Sequence, residues 1–207
     1  MTVTRRPSTL LRTGLLAPLA AISLAGCGLN SVPTAEENVN ARFADVQADY
    51  QRRSDLIGNL VETVKAAAAQ ESTVLIGISE ARARATQTTL SPADLSDPAK
   101  VAAFEQAQAQ VGVAVRPLLG PMIQERYPEI ASLKNFASLQ DQLEGTENRI
   151  RASRGDYNSA VQAYNVRIRT FPDAIGAKVF YGAKPKVPFA ASAAAQEAPK
   201  VDFGNAS

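Results

Sequence analysis

A heptad rhythm of apolar residues begins after Ala35 and continues to Ala85, and it constrains the fold more than any other feature. One row of this pattern is Val39, Val46, Arg53, Leu60, Ala67, Val74 and Ala81, and the other is Phe43, Tyr50, Ile57, Val64, Glu71, Ile78 and Ala85. Alternating steps of four and three residues are typical of an α-helix with a narrow apolar face and exclude a strand. The pattern therefore predicts one long helix, or two nearly in line, with a bend near Gly58 or Gly77.

Two further helical segments follow a connector rich in Thr, Ser and Pro. Asp97 and Pro98 supply an N-cap and a first-turn proline for the second segment, which Pro117 and Pro121 interrupt or end. Its predicted buried face is Val101, Phe104, Gln108, Val111 and Val115. The third segment begins at Pro128 and ends at Pro172, with one row of Phe136, Leu143, Ile150, Tyr157, Tyr164 and Phe171 and another of Gln140, Glu147, Arg154, Val161 and Ile168. Narrow stripes must be buried against each other, so the predicted fold is all-α, an elongated antiparallel bundle over residues 35–180.

The C-terminal residues 181–207 show no helical period. Aromatic residues are spaced there among Pro, Gly and Ala, as in Val187-Pro188-Phe189 and Val201-Asp202-Phe203. This pattern predicts an extended tail whose Phe and Tyr side chains anchor on the bundle. Simple disorder is an equal alternative for residues 190–207.

The first 26 residues have the composition of a secretory signal. Basic residues precede an apolar run that is about 12 residues long, which is too short to span a bilayer. Leu24-Ala25-Gly26-Cys27 resembles the bacterial lipobox, so cleavage before Cys27 and lipidation of its sulfur by palmitate or a similar chain are expected. Residues 27–34 would form a short linker. The resemblance to bacterial lipoproteins implies that Gly28, rather than Asp, after the lipidated Cys favours the outer membrane, facing the periplasm. The alternatives are a plain secretory peptide or an uncleaved anchor.

The composition excludes several kinds of chemistry. The 207 residues contain no His and a single Cys, which rules out His-based triads, His-bearing metal sites and redox dithiols. No cofactor or metal is predicted. Removal of the signal also removes Arg5, Arg6 and Arg12, which leaves a slight acidic excess. The sequence therefore does not predict a nucleic-acid partner.

Charged side chains occupy seam positions where apolar ones are expected. These are Arg53, Glu71, Glu147 and Arg154. A lone buried charge is costly, so each must reach water or find a partner. We predict a cross-helix pair between Arg53 and Glu147, and the alternative is that these side chains extend to the edge of the bundle.

Several of these residues lie in motifs that resemble those of the LemA family. The motifs are Arg52-Arg53-Ser54-Asp55-Leu56-Ile57-Gly58-Asn59-Leu60-Val61, Leu143-Glu144-Gly145-Thr146-Glu147-Asn148-Arg149-Ile150, the pairs Tyr157-Asn158 and Tyr164-Asn165, and Phe171-Pro172. The resemblance covers residues 35–180 and implies a four-helix bundle at a bacterial membrane, with no established enzymatic activity. Gly58 replaces the usual proline, and Cys27 replaces the usual retained membrane helix. The predicted structural polar network is Arg53, Asp55, Asn59, Glu147, Arg149 and Arg154.

Three classes of function fit these residues. The first is a lipid-anchored envelope protein without catalytic activity that acts as a structural or interaction module, with a protein partner or a second copy. The second is a protein that binds an envelope ligand or a lipid headgroup through Arg52, Arg53 and Arg149. The third is an envelope hydrolase that uses paired carboxylates such as Asp55 and Glu147.

Overall fold

Long helices make up most of the chain. A computed structural model describes residues 30–67, 72–119, 128–131 and 134–190. The helices are α1 (Ser31–Ala67), α2 (Ser72–Gln87), α3 (Pro98–Leu119), α4 (Pro128–Ala131), α5 (Lys134–Arg167) and α6 (Asp173–Val179), with a 3-10 helix at Pro92–Ser96. No strand occurs in the described ranges, so the predicted all-α class is confirmed.

The four longer helices form an up-down-up-down bundle. Helix α5 runs antiparallel to α1, since Arg167 near the end of α5 contacts Ser31 at the start of α1. The bundle has two apolar cores, each containing residues of α1, α3 and α5. The first core lies where α1 begins and includes Val39, Phe43, Val46, Tyr50, Val101, Phe104, Ile150, Tyr157, Tyr164 and Phe189. The second core lies at the other end and includes Ile57, Leu60, Val64, Ile78, Val111, Val115, Phe136 and Leu143.

The prediction of one long helix, or two nearly in line, over residues 35–85 is wrong. Gly58 of α1 lies against Arg82 of α2, since a Cβ built on Gly58 would be 3.0 Å from an Arg82 guanidinium nitrogen. In a continuous helix these residues would be about 36 Å apart. The Gln47 amide also donates to the Leu90 carbonyl at 3.2 Å. Helix α2 therefore folds back along α1, and the residues of the predicted rows whose side chains the structure describes are buried, except for the half-buried Val74.

Other boundaries differ from the prediction by a few residues. Helix α1 begins at Ser31, so half of the predicted linker 27–34 is helical. Asp97 caps α3 as predicted, because its Oδ1 accepts a hydrogen bond from the Ala99 N–H at 2.9 Å. Pro117 lies inside α3 and does not end it. The carbonyl left without a partner by this proline belongs to Val113, an exposed residue.

The third segment ends earlier than predicted. Helix α5 stops at Arg167, and Phe171 is 80% exposed, so its place in the buried row is wrong. A residue before a proline is disfavoured in a helix, so α5 ends before Phe171 although the heptad rhythm continues to that residue. The short helix α6 follows Pro172.

The tail is extended and anchored over residues 182–190, as predicted for its first part. Phe189 is buried in the first core, whereas Phe180 and Tyr181 are exposed. Residues 191–207, the signal and Cys27 lie outside the described residues. Within the described ranges, no helix combines the length and apolarity needed to cross a membrane.

Candidate functional site

Arg53 occupies the centre of the bundle between three helices. Its guanidinium group donates to Glu147 Oε1 of α5 at 3.1 Å, and to the carbonyl and side-chain oxygens of Gln108 in α3 at 3.0 and 2.8 Å. The Tyr50 ring lies 4.9 Å from the guanidinium carbon. The predicted Arg53–Glu147 pair is therefore present, and Gln108 is a partner that the sequence did not predict.

Burial of this pair is uneven. The Arg53 side chain is 7% exposed and that of Glu147 is 44% exposed. The carboxylate keeps part of its hydration, so the desolvation cost falls mainly on Arg53, which the two bonds to Gln108 offset. This arrangement links α1, α3 and α5 at one level along the bundle.

Arg154 of α5, which lies about two helical turns after Glu147, forms a second polar group. It donates to Glu105 Oε1 at 2.6 Å, to the Tyr50 hydroxyl at 3.2 Å and to the Ala190 carbonyl at 2.7 Å. Tyr50 thus contacts Arg53 through its ring and Arg154 through its hydroxyl group. The two predicted arginines belong to neighbouring groups that share one tyrosine.

The structure does not bring the remaining predicted network residues into these groups. Asp55 is exposed and accepts a hydrogen bond from the Gln51 amide at 2.8 Å. Asn59 and Arg149 are also exposed. Residue Glu71 lies outside the described residues. The polar network is therefore smaller than predicted.

Two asparagines of α5 hold the tail by its backbone. The Asn158 side chain donates to the Phe189 carbonyl at 3.0 Å and accepts from the Phe189 N–H at 2.8 Å. Asn165 makes the same pair of bonds with Lys186, each at 2.8 Å. Seven residues of helix and three residues of extended chain both cover about 10 Å, so this spacing matches the tail. The repeated Tyr-Asn pair was visible in the sequence, but its partner was not.

Two side chains of the tail enter the bundle. Phe189 is 3% exposed and packs on the Tyr157 ring at 4.6 Å, with the Arg154 guanidinium carbon 5.0 Å from its centre. The buried Lys186 ammonium group lies 2.9 Å from Glu36 and 3.3 Å from the Pro92 carbonyl. We call the surface that receives residues 185–190 the tail groove. It combines backbone contacts with one pocket that accepts the Lys186 cation and one that accepts the Phe189 ring.

Tyr157 completes the tail groove as a hydrogen-bond donor. Its hydroxyl group donates to the Val187 carbonyl at 2.9 Å. Burial raises the pKa of Tyr157 well above its ordinary value, and the nearby Glu105 carboxylate adds to this effect. The hydroxyl group therefore stays protonated, as this hydrogen bond requires.

A cavity of about 210 Å³ opens between α1, α2 and α3. Its lining contains Arg53 and Arg82 together with hydroxyl and amide side chains, and no carboxylate among the described residues. The Arg82 Nε is buried and makes no hydrogen bond with the described residues. This lining suits an oxyanion better than the paired-carboxylate chemistry of the hydrolase alternative, which needs two carboxylates in one cleft. Asp55 and Glu147 do not line it, so the geometry does not favour the hydrolase alternative.

Four large apolar side chains are exposed in and beside α6, which lies near the start of α1. They are Phe171, Ile175, Val179 and Phe180. Gly176 and Ala177 of α6 are buried. We call the four exposed side chains the α6 patch. In the described part of the chain, no group of acidic residues or Cys is arranged to hold a metal ion.

These features define a class of protein: an all-α bundle with an apolar end and a docked, extended tail. The model of the LemA family matches residues 42–203, and the chain belongs to this family. It is similar to magnetosome proteins MamQ 1 and MamQ 2 of Paramagnetospirillum magneticum, each 28% identical over 163 residues. Magnetosome protein MamQ of Magnetospirillum gryphiswaldense is 27% identical. Each alignment covers 69% of this chain and 58% of the relative, so the chain matches little more than half of the length of these relatives.

Proposed function

We propose that this LemA-family protein is an envelope lipoprotein, anchored through Cys27, that acts at a membrane surface as a structural or interaction module and catalyses no reaction. The observation that carries the proposal is the position of the α6 patch. It lies at the end of the bundle where α1 begins. The first residue of α1, Ser31, is four residues after Cys27 in the sequence. Because Gly28 follows Cys27, we propose the outer membrane, facing the periplasm.

The contacts of Arg167 connect α6 to the start of α1. Its guanidinium group donates to the Ser31 carbonyl at 3.2 Å and lies 3.7 Å from the Asp173 carboxylate in the first turn of α6. Four residues of extended chain span at most about 14 Å. A lipid on Cys27 would therefore hold the α6 patch within reach of the bilayer.

The chemistry of the α6 patch fits a lipid surface. Phe171 is 80% and Phe180 is 68% exposed, and burial of each large apolar side chain contributes about 1.5–3 kcal/mol. Arg169, Lys178 and Lys184 are exposed beside the patch, and each basic residue near an anionic surface adds about 1 kcal/mol. Such a patch binds reversibly, so durable attachment still requires the lipid.

Vesicle binding tests the patch without the lipid. Residues 28–207, which lack Cys27, should co-sediment with vesicles that contain anionic lipid. The double substitution Phe171→Ser and Phe180→Ser should weaken this binding at least tenfold, because it removes most of the aromatic surface available for burial. The matched control is Ile76→Ser with Val113→Ser, which alters exposed apolar residues of α2 and α3 and should leave binding unchanged.

Two results would contradict this placement of the membrane surface. One is equal binding of the wild type and the patch variant, and the other is an equal loss in the control. Binding that depends on Arg169, Lys178 and Lys184 but not on the two phenylalanines would instead favour headgroup binding at this end of the bundle, at residues other than the predicted Arg52, Arg53 and Arg149.

The tail groove supports the interaction role. It contacts a polypeptide backbone at two positions through Asn158 and Asn165, which is how a protein surface can hold an extended segment with little regard to its sequence. A protein partner or a second copy of the chain is therefore the proposed binding partner in the envelope.

A further inference from the structure

The tail groove contacts the side chains of its occupant at three positions. Its bonds to Lys186, Val187 and Phe189 through Asn165, Tyr157 and Asn158 involve backbone atoms, which every non-proline residue offers. The Lys186 ammonium and the Phe189 ring are buried, and the partly buried Val187 side chain packs against the first core. Pro185 and Pro188 are exposed, so the groove places little restriction on what stands there.

The chain contains this pattern twice. Residues 185–189 read Pro-Lys-Val-Pro-Phe and residues 199–203 read Pro-Lys-Val-Asp-Phe. The lysine and the aromatic residue have the same separation in both. The two segments differ only where Asp202 replaces Pro188, and Pro188 is exposed. The groove therefore offers residues 199–203 the same contacts that it makes with residues 185–189.

We propose that the tail groove is a recognition site for Lys-Val-x-Phe and that residues 199–203 of one copy dock in the groove of a second copy. One groove holds one segment. When residues 185–189 fill the groove of their own chain, residues 199–203 can dock only in the groove of another copy. The tethered segment 185–189 competes at a high effective concentration, and docking between copies therefore depends on local crowding. This step rests on the proposed function, since attachment to a membrane concentrates the copies.

Titration with a labelled peptide tests the recognition. The probe is a fluorescent peptide of residues 197–207. The receptor is the full chain with Lys186→Ala, Phe189→Ala, Lys200→Ala and Phe203→Ala, which disables both of its own segments and leaves the groove walls intact. Saturable binding is expected, with weaker binding to the wild-type chain because residues 185–189 compete.

The matched control adds Asn158→Ala and Asn165→Ala to the same receptor. Since four backbone hydrogen bonds are then lost, its affinity should fall at least tenfold. A receptor that does not bind the peptide, or a control that binds it equally well, would overturn the recognition.

Capture between two chains tests docking in trans. Immobilised wild-type chain should retain the four-substitution chain. An immobilised chain with only Lys200→Ala and Phe203→Ala should not retain it. Absence of capture, or capture that survives these two substitutions, would overturn docking between copies.

Hydrogen exchange on the wild type provides a test that does not depend on folding of the variants. The N–H groups of Lys186 and Phe189 are bonded to Asn165 and Asn158. Excess unlabelled peptide should accelerate their exchange by displacing residues 185–189, and unchanged rates would contradict the proposal. Retained vesicle binding in a chain that fails these tests would refute this inference alone and leave the proposed function standing.

Discussion

Replacement of Phe189 by alanine is expected to lower the free energy of unfolding by about 3 kcal/mol. The ring is 3% exposed and lies 4.6, 6.3 and 6.4 Å from the ring centres of Tyr157, Phe104 and Phe43. Alanine would leave a cavity in the first core and remove the contact with Arg154. Urea denaturation followed by circular dichroism measures the change.

Phe180→Ala is the matched control for this substitution. Phe180 lies nine residues earlier and is 68% exposed, so its loss should change the free energy of unfolding by no more than about 0.5 kcal/mol. Equal stability of Phe189→Ala and the wild type would show that the tail contributes nothing to the first core.

Glu147→Leu is expected to lower the free energy of unfolding by about 2 kcal/mol, the typical contribution of a hydrogen bond to a charged group. Arg53 would keep its bonds to Gln108 but lose its only carboxylate partner among the described residues. Removal of one partner of a fully buried pair costs more, about 3–5 kcal/mol, but the Glu147 side chain is 44% exposed and water screens the pair.

Thermal unfolding measures this effect as a decrease in Tm of roughly 4–8 °C for a chain of this size. The control is Glu144→Leu, which changes an exposed carboxylate one turn earlier in α5 and should leave Tm nearly unchanged. An unchanged Tm for Glu147→Leu would mean that Arg53 reaches water and that the pair adds no stability.

The heptad rows predicted which residues are buried but not how the helices follow one another. Val39, Phe43, Val46, Ile57, Leu60 and Ile78 are all buried as expected. The same rows are satisfied whether α2 continues from α1 or folds back along it, because the period determines the face of a helix and not its direction. The Arg53–Glu147 pair was predictable because both charges occupy seam positions, where only a partner across the bundle or water could accommodate them.

The tail groove could not be derived from local pattern. Asn158 and Asn165 occupy positions on α5 that an ordinary helix would expose, and their role appears only when residues 186–189 lie alongside. The position of Arg82 in the cavity could not be predicted either, since this cavity exists only because α2 folds back along α1. Phe171 was misplaced because the seven-residue rhythm continues beyond the end of α5.

The tail and the centre of the bundle are connected through shared side chains. Arg154 donates both to the Ala190 carbonyl and to the Tyr50 hydroxyl, and the Tyr50 ring contacts Arg53. A segment docked in the tail groove is therefore in contact with the group that links α1, α3 and α5.

Attachment to the membrane through Cys27 is the central claim of this account, and incorporation of labelled palmitate into the protein in growing bacteria tests it most directly. We expect the wild-type protein to carry the label and Cys27→Ser to carry none, because this is the one cysteine of the chain. A wild-type protein without label, or label that survives the substitution, would contradict the account.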